Sequence, residues 1–521
     1  MTKRLPLLLT ALTFPLLLIG ILLFASSIRA GSYDICLTCT FPTIQAALDE
    51  DSNVGATLTI GPETFSENIE ITRSITLIGA GPGLTIIDGQ MTDTVILING
   101  GPTVSISGVT IQNGDASLDG GGLLVENGTV SLSDSIVQNN LAPSGAGIAN
   151  NGTMTLDDVI VRNNTADEII SGDSVCDDCA GGGILNYGVM TVTNSTIHGN
   201  TANFGGGIDN AFTGTLVATE IEVYNNSVSI NASGIDALGG GIENLGAMTL
   251  INSIVRDNTA PFGGGFYNEG ELTITGSDLH GNTAATRGGG IHNTFNLTVQ
   301  TSNVYENQAG SGGGGGISSE GGDVVVERTA VYNNSAAGSG GGIVHNVTAG
   351  SNSFAIINST ISGNSTSGSG GGLRNAGIAQ TSLSNVTLRN NTSTVVAGQS
   401  ISVLAGSLTT KNSIISNQTG NNCSGTITSQ GYNLANDSSC GLNGTADLPN
   451  TNPLLGSLQN NGGGTLTHAL LIGSPAIDSG SGCPVVDQRG VARPFGDACD
   501  RGAYEFDVDT QSVYLPFVIR P

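Results

Sequence analysis

Apolar and polar residues alternate over short stretches through most of the chain. The alternation is clear from Thr153 to Leu156 and from Val159 to Val161, and it returns after a glycine run from Gly183 to Leu185. A period of two residues predicts half-buried β-strands, and no helical period lies between these stretches. The pattern therefore predicts three short strands in each repeating unit.

The unit is marked by a recurring phrase, G-G-G-I-x-N, followed by an alternating strand, then S-x-I-x-x-N and T-A. The glycine triplets or their variants begin at residues 120, 145, 181, 205, 239, 263, 288, 314, 340 and 370, a base period of about 25 residues with insertions. Fixed periods of this size indicate stacked supersecondary units. Three strands per unit predict an all-β solenoid, a parallel β-helix.

Two columns of asparagine accompany the repeat. One contains Asn140, Asn164, Asn200, Asn226, Asn258, Asn282, Asn307, Asn334, Asn364 and Asn391, and the other contains Asn150, Asn186, Asn210, Asn244, Asn268, Asn293 and Asn375. Asparagine tolerates the left-handed conformation of a corner, and stacked amides can bond from coil to coil. Glycine is expected at the other corner, where φ is positive and coils approach closely. With coils about 4.8 Å apart, some 13 to 14 turns predict a rod roughly 65 Å long.

Composition narrows the function. The 521 residues include 79 Gly and carry a formal charge of -27, and Lys3 and Lys411 are the two lysines. Such a chain lacks the basic surface that binds phosphate backbones, so nucleic acid is excluded as a partner. The plentiful aliphatic residues also distinguish it from a disordered chain.

The chain begins with Lys3 and Arg4, followed by an apolar run from Leu5 to Phe24. This order predicts a cleaved signal peptide over residues 1–30. An uncleaved membrane anchor is the alternative, since about 20 apolar residues can span a bilayer. We expect a secreted or cell-surface protein that meets a membrane only through this segment or through surface anchoring.

The eight cysteines fall into four local pairs: Cys36 with Cys39, Cys176 with Cys179, Cys423 with Cys440, and Cys483 with Cys499. In an exported protein such pairs predict disulfides that close short loops. The C-x-x-C pairs leave zinc or redox chemistry open, but histidine at finger spacing and a thioredoxin-like βαβ pattern are both missing around them.

Three parts of the chain resemble known families. The repeat from residue 120 to 420 is similar to that of polymorphic outer-membrane proteins, although the aromatic of their second phrase is usually aliphatic here, as in I-V-R-N-N. The opening phrases T-I-Q-A-A-L-D-E and I-T-L-I-G-A-G-P-G-L-T-I-I-D-G resemble the first coils of pectin-lyase-like right-handed β-helices. That resemblance implies a right-handed coil and a capping helix from Thr43 to Asp49.

The run from Asn452 to Glu505, with N-N-G-G-G-T-L-T-H-A-L and D-Q-R-G-V-A-R-P, resembles the choice-of-anchor Q domain. This implies surface display or sorting and no known reaction. Gly464 stands where that family usually has proline. The expected organisation is a signal peptide (1–30), a cap (31–53), the β-helix (54–440), the choice-of-anchor Q-like module (452–506) and a tail (507–521).

One outward column of the coils contains planar side chains. It comprises Gln138, Arg162, His198, Tyr224, Arg256, His280, Tyr305, Tyr332, Ser362 and Arg389. Rings and guanidinium planes at one-coil spacing could stack on the sugars of an extended glycan. The alternative is that long side chains merely cover an exposed strand.

Acidic residues gather near two insertions, Asp167 to Ala180 and Ser227 to Leu238, which lie at the same corner of coils two apart. Asp173, Asp177 and Asp178 lie in the first insertion, and Asp209 and Glu243 share one repeat position in successive coils. Two carboxylates one coil apart would suit a Ca²⁺ ion or a glycosidase pair at retaining distance. Exposed surface acids are the plain alternative.

The known enzymes of the pectin-lyase fold are not recognisable, because their motifs are missing. We therefore predict a non-enzymatic adhesive or structural protein of the cell surface that binds extended glycans or cell-envelope components, with no cofactor unless Ca²⁺ binds. A polysaccharide-active lyase or glycoside hydrolase is the alternative. Three or more acids, histidines or arginines that converge in one groove would favour the enzyme, and isolated columns would favour the binder.

Overall fold

The computed structural model describes residues 34–167, 179–228, 237–348, 352–378, 380–395 and 398–507. The expected signal peptide (1–30) and nearly all of the tail, residues 508–521, lie outside them. Within the described residues, one α-helix is present at Ile44–Asp49, followed by a 3-10 turn at Asp51–Asn53. Thr43 caps the helix by accepting a hydrogen bond from the backbone NH of Ala46, and Ile44 and Ala47 are buried. The predicted capping helix is thus confirmed.

No described helix is long and apolar enough to cross a membrane.

Three parallel sheets form the rest of the rod. Sheet 1 has 14 strands, and ten of them follow the glycine triplets or their variants. Its strands are Ile69–Ile71, Ile96–Ile98, Leu123–Val125, Ile148–Asn150, Ile184–Asn186, Ile208–Asn210, Ile242–Asn244, Phe266–Asn268, Ile291–Asn293, Ile317–Ser319, Ile343–His345, Leu373–Asn375, Ile401–Val403 and Cys423–Ser424.

Sheet 2 has 28 strands, two for most coils, because a left-handed residue such as Asn194 bends the chain between them. Its strands are Thr57–Thr59, Thr64–Ser66, Ile75–Ile78, Ile86–Asp88, Thr103–Ser107, Thr110–Gln112, Thr129–Gln138, Thr153–Arg162, Val189–Thr193, Thr196–His198, Thr215–Thr219, Glu222–Tyr224, Ala247–Ile251, Ile254–Arg256, Glu271–Thr275, Asp278–His280, Leu297–Gln300, Asn303–Tyr305, Val324–Glu327, Ala330–Tyr332, Ser353–Ile357, Thr360–Ser362, Gln380–Ser384, Thr387–Arg389, Ser407–Lys411, Ile414–Ser416, Ile427–Ser429 and Leu434–Ala435.

Sheet 3 has 10 short strands at the T-A positions. Its strands are Leu141–Ala142, Thr165–Ala166, Thr201–Ala202, Ser227–Val228, Thr259–Phe262, Thr283–Arg287, Gln308–Ala309, Ser335–Ala336, Ser365–Thr366 and Thr392–Ser393. The fold is the predicted parallel β-helix, with this fourth strand added to the three expected in each coil. Inward side chains such as Ile184, Met190 and Ile197 form one continuous core along the rod.

Both asparagine columns form ladders of hydrogen-bonded amides inside the rod. Asn164 donates from Nδ2 to Oδ1 of Asn200 at 3.0 Å and accepts from the backbone NH and Nδ2 of Asn140. The expected left-handed conformation, however, belongs to the residue before the ladder asparagine, such as Asn163 with φ 53°. The corner must turn before the amide can point inward, so the ladder position itself keeps an ordinary backbone.

The C-terminal segment from residue 452 folds back along the last coils. It contains an antiparallel pair, Leu455–Gln459 with Thr467–Leu470. Asn385 donates to the carbonyl of Asp500 at 3.2 Å, and Asn412 donates to that of Ser481 at 3.0 Å. The expected small C-terminal module is therefore packed against the side of the rod, along the bend between the two halves of sheet 2.

Three of the predicted disulfides are present, and they join Cys36 to Cys39, Cys423 to Cys440 and Cys483 to Cys499. Cys179 is also disulfide-bonded, while its expected partner Cys176 lies outside the described residues. The cysteines that the structure describes are all oxidised, which favours disulfides over a zinc or dithiol site.

Candidate functional site

The planar side chains of sheet 2 lie in register along the rod, as expected. The rings of His198 and Tyr224 stack with centroids 4.7 Å apart, and the Arg256 guanidinium lies 4.2 Å from the Tyr224 centroid on the next coil. Further along, Tyr305 stacks on His280 at 4.7 Å and on Tyr332 at 4.9 Å. The rings face one another, so the inner rings present only their edges to solvent.

The ends of this column differ. Arg162 donates to Gln138, whereas Ser362 and Arg389 contact the C-terminal module through His468 and the Gly456 carbonyl. Binding of a glycan along the column stays a prediction. A sugar stacks on the face of a ring, and the faces of Tyr224 and Tyr305 are already covered by neighbouring coils.

A second line of polar residues runs along the outer face of sheet 1. Asp209, Glu243, Tyr267 and His292 occupy the central strand position of four successive coils and pair in direct register. Their exposed fractions are 4, 3, 8 and 4%. We call this line of four residues the crevice. The two acids expected to be neighbours are adjacent, and they are buried rather than exposed.

The glycine corner explains why outward-pointing residues are buried. The first glycine of each triplet is left-handed and turns the chain over the central strand residue, so a Cβ at Gly205 would lie 2.8 Å from Cβ of Asp209. At the other end of the crevice the Phe262 ring lies 5.8 Å from the ring of His292. One wall of the crevice is therefore built from the corner that joins sheet 3 to sheet 1.

The side chains of the crevice, together with Ser318, which follows His292 in register, form its floor. Burial shifts the pKa values of Asp209, Glu243 and His292. Desolvation raises the pKa of Asp209 to about 7. The pKa of Glu243 is raised well above its usual value by desolvation first and then by the charges of Asp209 and Glu269. Desolvation and then the nearby Arg287 lower the pKa of His292 to about 4. At neutral pH the crevice thus holds a neutral imidazole and a carboxyl pair that retains a proton.

Several atoms of the floor lack a hydrogen-bond partner among the described residues. They are Oδ1 of Asp209, Oε2 of Glu243, Nδ1 of His292 and Oγ of Ser318, which follows His292 in register. Leaving a buried polar atom unpaired costs about 1–3 kcal/mol. These four atoms are enclosed by protein, so a ligand at the surface would meet the remaining polar atoms of these side chains and of the rim.

The rim of the crevice is acidic. Glu269 accepts a hydrogen bond from the Tyr267 hydroxyl at 2.6 Å, and Glu320 lies 4.0 Å from Nε2 of His292. Arg287 contributes positive charge, but it forms an ion pair with Glu320. The charge around the crevice is therefore dominated by carboxylates.

The Ca²⁺ prediction is only partly visible in this region. Asp173, Asp177 and Asp178 lie outside the described residues, so their position relative to Asp209 and Glu243 is not addressed. Within the part of the chain that the structure describes, no three Asp, Glu, His or Cys side chains are grouped so as to hold a metal ion. Calcium stays a prediction.

Sequence reasoning singled out Asp209 and Glu243 and missed Tyr267 and His292. The signal was present, because both stand in the central position of the strand that follows a glycine triplet, in G-G-G-F-Y-N and G-G-G-I-H-N. The repeat pattern alone does not show that this position points outward from sheet 1 and is covered by the glycine corner. In the sequence this position is the variable residue x of G-G-G-I-x-N.

The acid pair gives a testable pH dependence of stability. Asp209 has a folded pKa of about 7 against 3.8 in the unfolded chain, so its contribution to stability is full below pH 4 and is lost as the pH rises to about 7. Asp209→Asn should therefore raise the free energy of unfolding at pH 8, by an amount on the order of 4 kcal/mol at most, and leave it nearly unchanged at pH 4.

Urea unfolding at the two pH values measures this difference. Asp158→Asn, at an exposed position of sheet 2, is the control and should change neither value. If Asp209→Asn changes the free energy of unfolding equally at pH 4 and pH 8, burial does not raise the pKa of Asp209.

Comparisons with known proteins add little. No family model and no curated protein matches the chain. Among solved structures it is similar to pectate lyase Pel9A, with 14% identity over 89% of this chain and 91% of that one at a TM-score of 0.31. It is also similar to the A-modules of two Azotobacter vinelandii mannuronan C-5 epimerases. For AlgE6 the identity is 14%, over 75% of this chain and 94% of that one at a TM-score of 0.31, and for AlgE4 it is 13%, over 81% and 98% at 0.28. Sequence identities and TM-scores this low carry no argument about the chemistry of this chain.

Proposed function

We propose that this protein is a glycoside hydrolase that cleaves a polysaccharide in the crevice, with Glu243 as general acid and Asp209 as nucleophile. The observation that carries the proposal is the pairing of the two buried carboxyls on adjacent strands. With His292 in the same line, two acids and a histidine occupy one groove, which supports the enzyme over a binder with isolated columns.

Spacing supports the pair. Neighbouring parallel strands lie about 4.8 Å apart, close to the 5–5.5 Å that separates the carboxyls of retaining glycosidases. In that reaction protonated Glu243 gives its proton to the glycosidic oxygen as the bond to the anomeric carbon breaks. The Asp209 carboxylate attacks that carbon and forms a glycosyl ester. Water, deprotonated by the Glu243 carboxylate, then hydrolyses the ester, which releases the sugar and restores both groups.

The electrostatics support the assignment of roles. The pKa of Glu243 is raised by the charges of Asp209 and Glu269 in addition to burial, whereas burial alone raises that of Asp209. When two neighbouring acids are pushed apart in this way, the group with the higher pKa keeps the proton and serves as the acid. Glu243 is therefore assigned as the acid and Asp209 as the anion.

Hydrolysis is favoured over elimination because, among the described residues, no unpaired cation lies beside Asp209 and Glu243. Proton abstraction beside a carboxylate requires a base and a positive group that stabilises the resulting charge. Lys411 lies on sheet 2, away from the crevice, and the Arg287 guanidinium is paired with Glu320. Neutral His292 and the Tyr267 hydroxyl can donate or accept hydrogen bonds but supply no charge.

The disulfides and the predicted signal peptide support a polysaccharide substrate outside the cell. The disulfides are typical of proteins that fold in oxidising compartments, and the signal peptide and anchoring module are predicted from sequence. We propose a secreted or surface-attached location on these grounds.

A non-enzymatic adhesin that binds glycans is the second candidate. The observation that favours it is the stacked column on sheet 2, which extends over several coils in unbroken register from Arg162 to Tyr332. An adhesin needs such a long, repetitive surface and no converging acids.

Incubation of the mature protein with a panel of polysaccharides, followed by analysis of the products, tests the proposal. Hydrolysis should yield saturated fragments with new reducing ends, whereas a lyase would yield unsaturated ends. Glycans that are retained but remain intact would favour the adhesin.

A further inference from the structure

Three large aromatic side chains project from the turns that follow strands of sheet 1. Phe212 is 74% exposed, Phe295 45% and Tyr187 43%. Exposed aromatic rings cost solvation free energy unless a partner covers them. Unlike the stacked rings of sheet 2, Phe212 and Phe295 take part in no ring stack among the described residues, so their faces are open to a ligand.

These turns lie directly beside the acid pair. Asn210 follows Asp209, and Phe212 is two residues further along. The turn of Phe212 contacts that of Tyr187, because the Thr213 hydroxyl donates to the Tyr187 carbonyl at 2.8 Å. Desolvation raises the pKa of Tyr187, and the charges of Asp119 and then Asp209 add to the rise, so that phenol lies within electrostatic reach of the crevice.

Phe295 occupies the equivalent turn three coils further along, after Asn293. Three coil spacings separate the two phenylalanines by about 14 Å along the rod. Glu243 and Tyr267 belong to the coils between them. The rim therefore carries one aromatic ring in the coil of Asp209 and another two coils, about 10 Å, beyond Glu243, along the direction in which a polymer would lie.

The charge of the same surface selects among polymers. Carboxylates occupy the floor at Asp209 and Glu243 and the rim at Glu269 and Glu320, and the chain as a whole carries a charge of -27. The Arg287 guanidinium is neutralised by Glu320, and Arg374 lies three coils beyond His292. Between Phe212 and Phe295 the described residues would offer the carboxylates of a polyuronate no unpaired cation, because Arg374 lies beyond that stretch.

We propose that the crevice binds an uncharged polysaccharide, whose sugar rings rest on Phe212 and Phe295 while its hydroxyls donate to the solvent-accessible carboxylates of the rim, Glu269 and Glu320. The proposal rests on the proposed function in placing the substrate at the acid pair. Aromatic faces recognise the apolar face of a sugar ring, and carboxylates accept hydrogen bonds from neutral hydroxyls. Substrate choice is thus set by the rim and by the surplus of carboxylates.

Binding measurements on the double variant Asp209→Asn with Glu243→Gln test the substrate class without cleavage. The probes are neutral polysaccharides, such as β-glucan, xylan and mannan, and a polygalacturonate, compared by affinity electrophoresis. We expect retention on at least one neutral polymer and none on the polyuronate. Adding Phe212→Ala should weaken the retained interaction about tenfold. Val485→Ala, at an 81% exposed position of the C-terminal module, is the matched control and should change nothing.

Preferred binding to the polyuronate, binding to no neutral polymer, or unchanged affinity after Phe212→Ala would each overturn the proposal. The failure of the proposed function is seen separately in the parent protein. Retention that depends on Phe212 without any cleavage would refute the hydrolase and support the binding site. Cleavage of polygalacturonate by hydrolysis would support the hydrolase and refute the neutral substrate.

Discussion

Glu243→Gln is expected to lower the rate of glycosidic cleavage by about 10²–10⁴-fold, because glutamine cannot give a proton to the departing oxygen. The substitution keeps the size of the side chain and replaces the neutral, protonated carboxyl beside Asp209 with a neutral amide. Folding should therefore be unimpaired. The rate is measured from the release of reducing ends on the polymer that the parent cleaves.

Two comparisons make this result specific. Glu306→Gln changes a carboxyl on the opposite side of the rod, at the bend that follows Asn303–Tyr305, and should leave the rate unchanged. Asp209→Asn should also abolish cleavage, since the amide cannot form the glycosyl ester. Full activity in either crevice variant would remove that residue from its assigned role.

Asn258→Ala should destabilise the rod by roughly 3–5 kcal/mol. Asn258 is fully buried. Its Oδ1 accepts from the backbone NH and Nδ2 of Asn226, and its Nδ2 donates to Asn282 Oδ1 and to the Val223 carbonyl. The substitution would remove these four hydrogen bonds, leave buried donors of the preceding coil unpaired and open a small cavity.

Chemical unfolding followed by circular dichroism measures the loss. Asn151→Ala is the matched control, because Asn151 is exposed and lies next to the ladder residue Asn150. If Asn151→Ala lowers the free energy of unfolding as much as Asn258→Ala does, the loss does not depend on the position in the ladder. A loss below about 1 kcal/mol would show that the ladder contributes little.

The sequence was sufficient to predict the coil. Each unit repeats the same glycine corner and the same buried asparagine, and these local rules act alike in every turn. The helix after Thr43 could be predicted because the cap and the buried Ile44 and Ala47 are local. The two-residue strands of sheet 3 were not predicted, since pairs such as Thr201–Ala202 are too short to show a period.

The candidate site was harder to predict, because it depends on a surface that no single coil contains. The register of Asp209 with Glu243 followed from counting repeats. Their burial could not be predicted this way, since it arises where the corner at Gly205 folds over the neighbouring strand. Tyr267 and His292 each occupy a variable position of a single coil. They form a line of polar groups with the two acids only when the coils are stacked.

The most direct test of the central claim compares cleavage with retention on one neutral polysaccharide. The parent protein should convert the polymer to saturated fragments. Asp209→Asn with Glu243→Gln should retain the same polymer intact and with similar affinity. If instead the parent leaves every polymer intact, or if the double variant cleaves as fast as the parent, the acid pair is not a hydrolytic site.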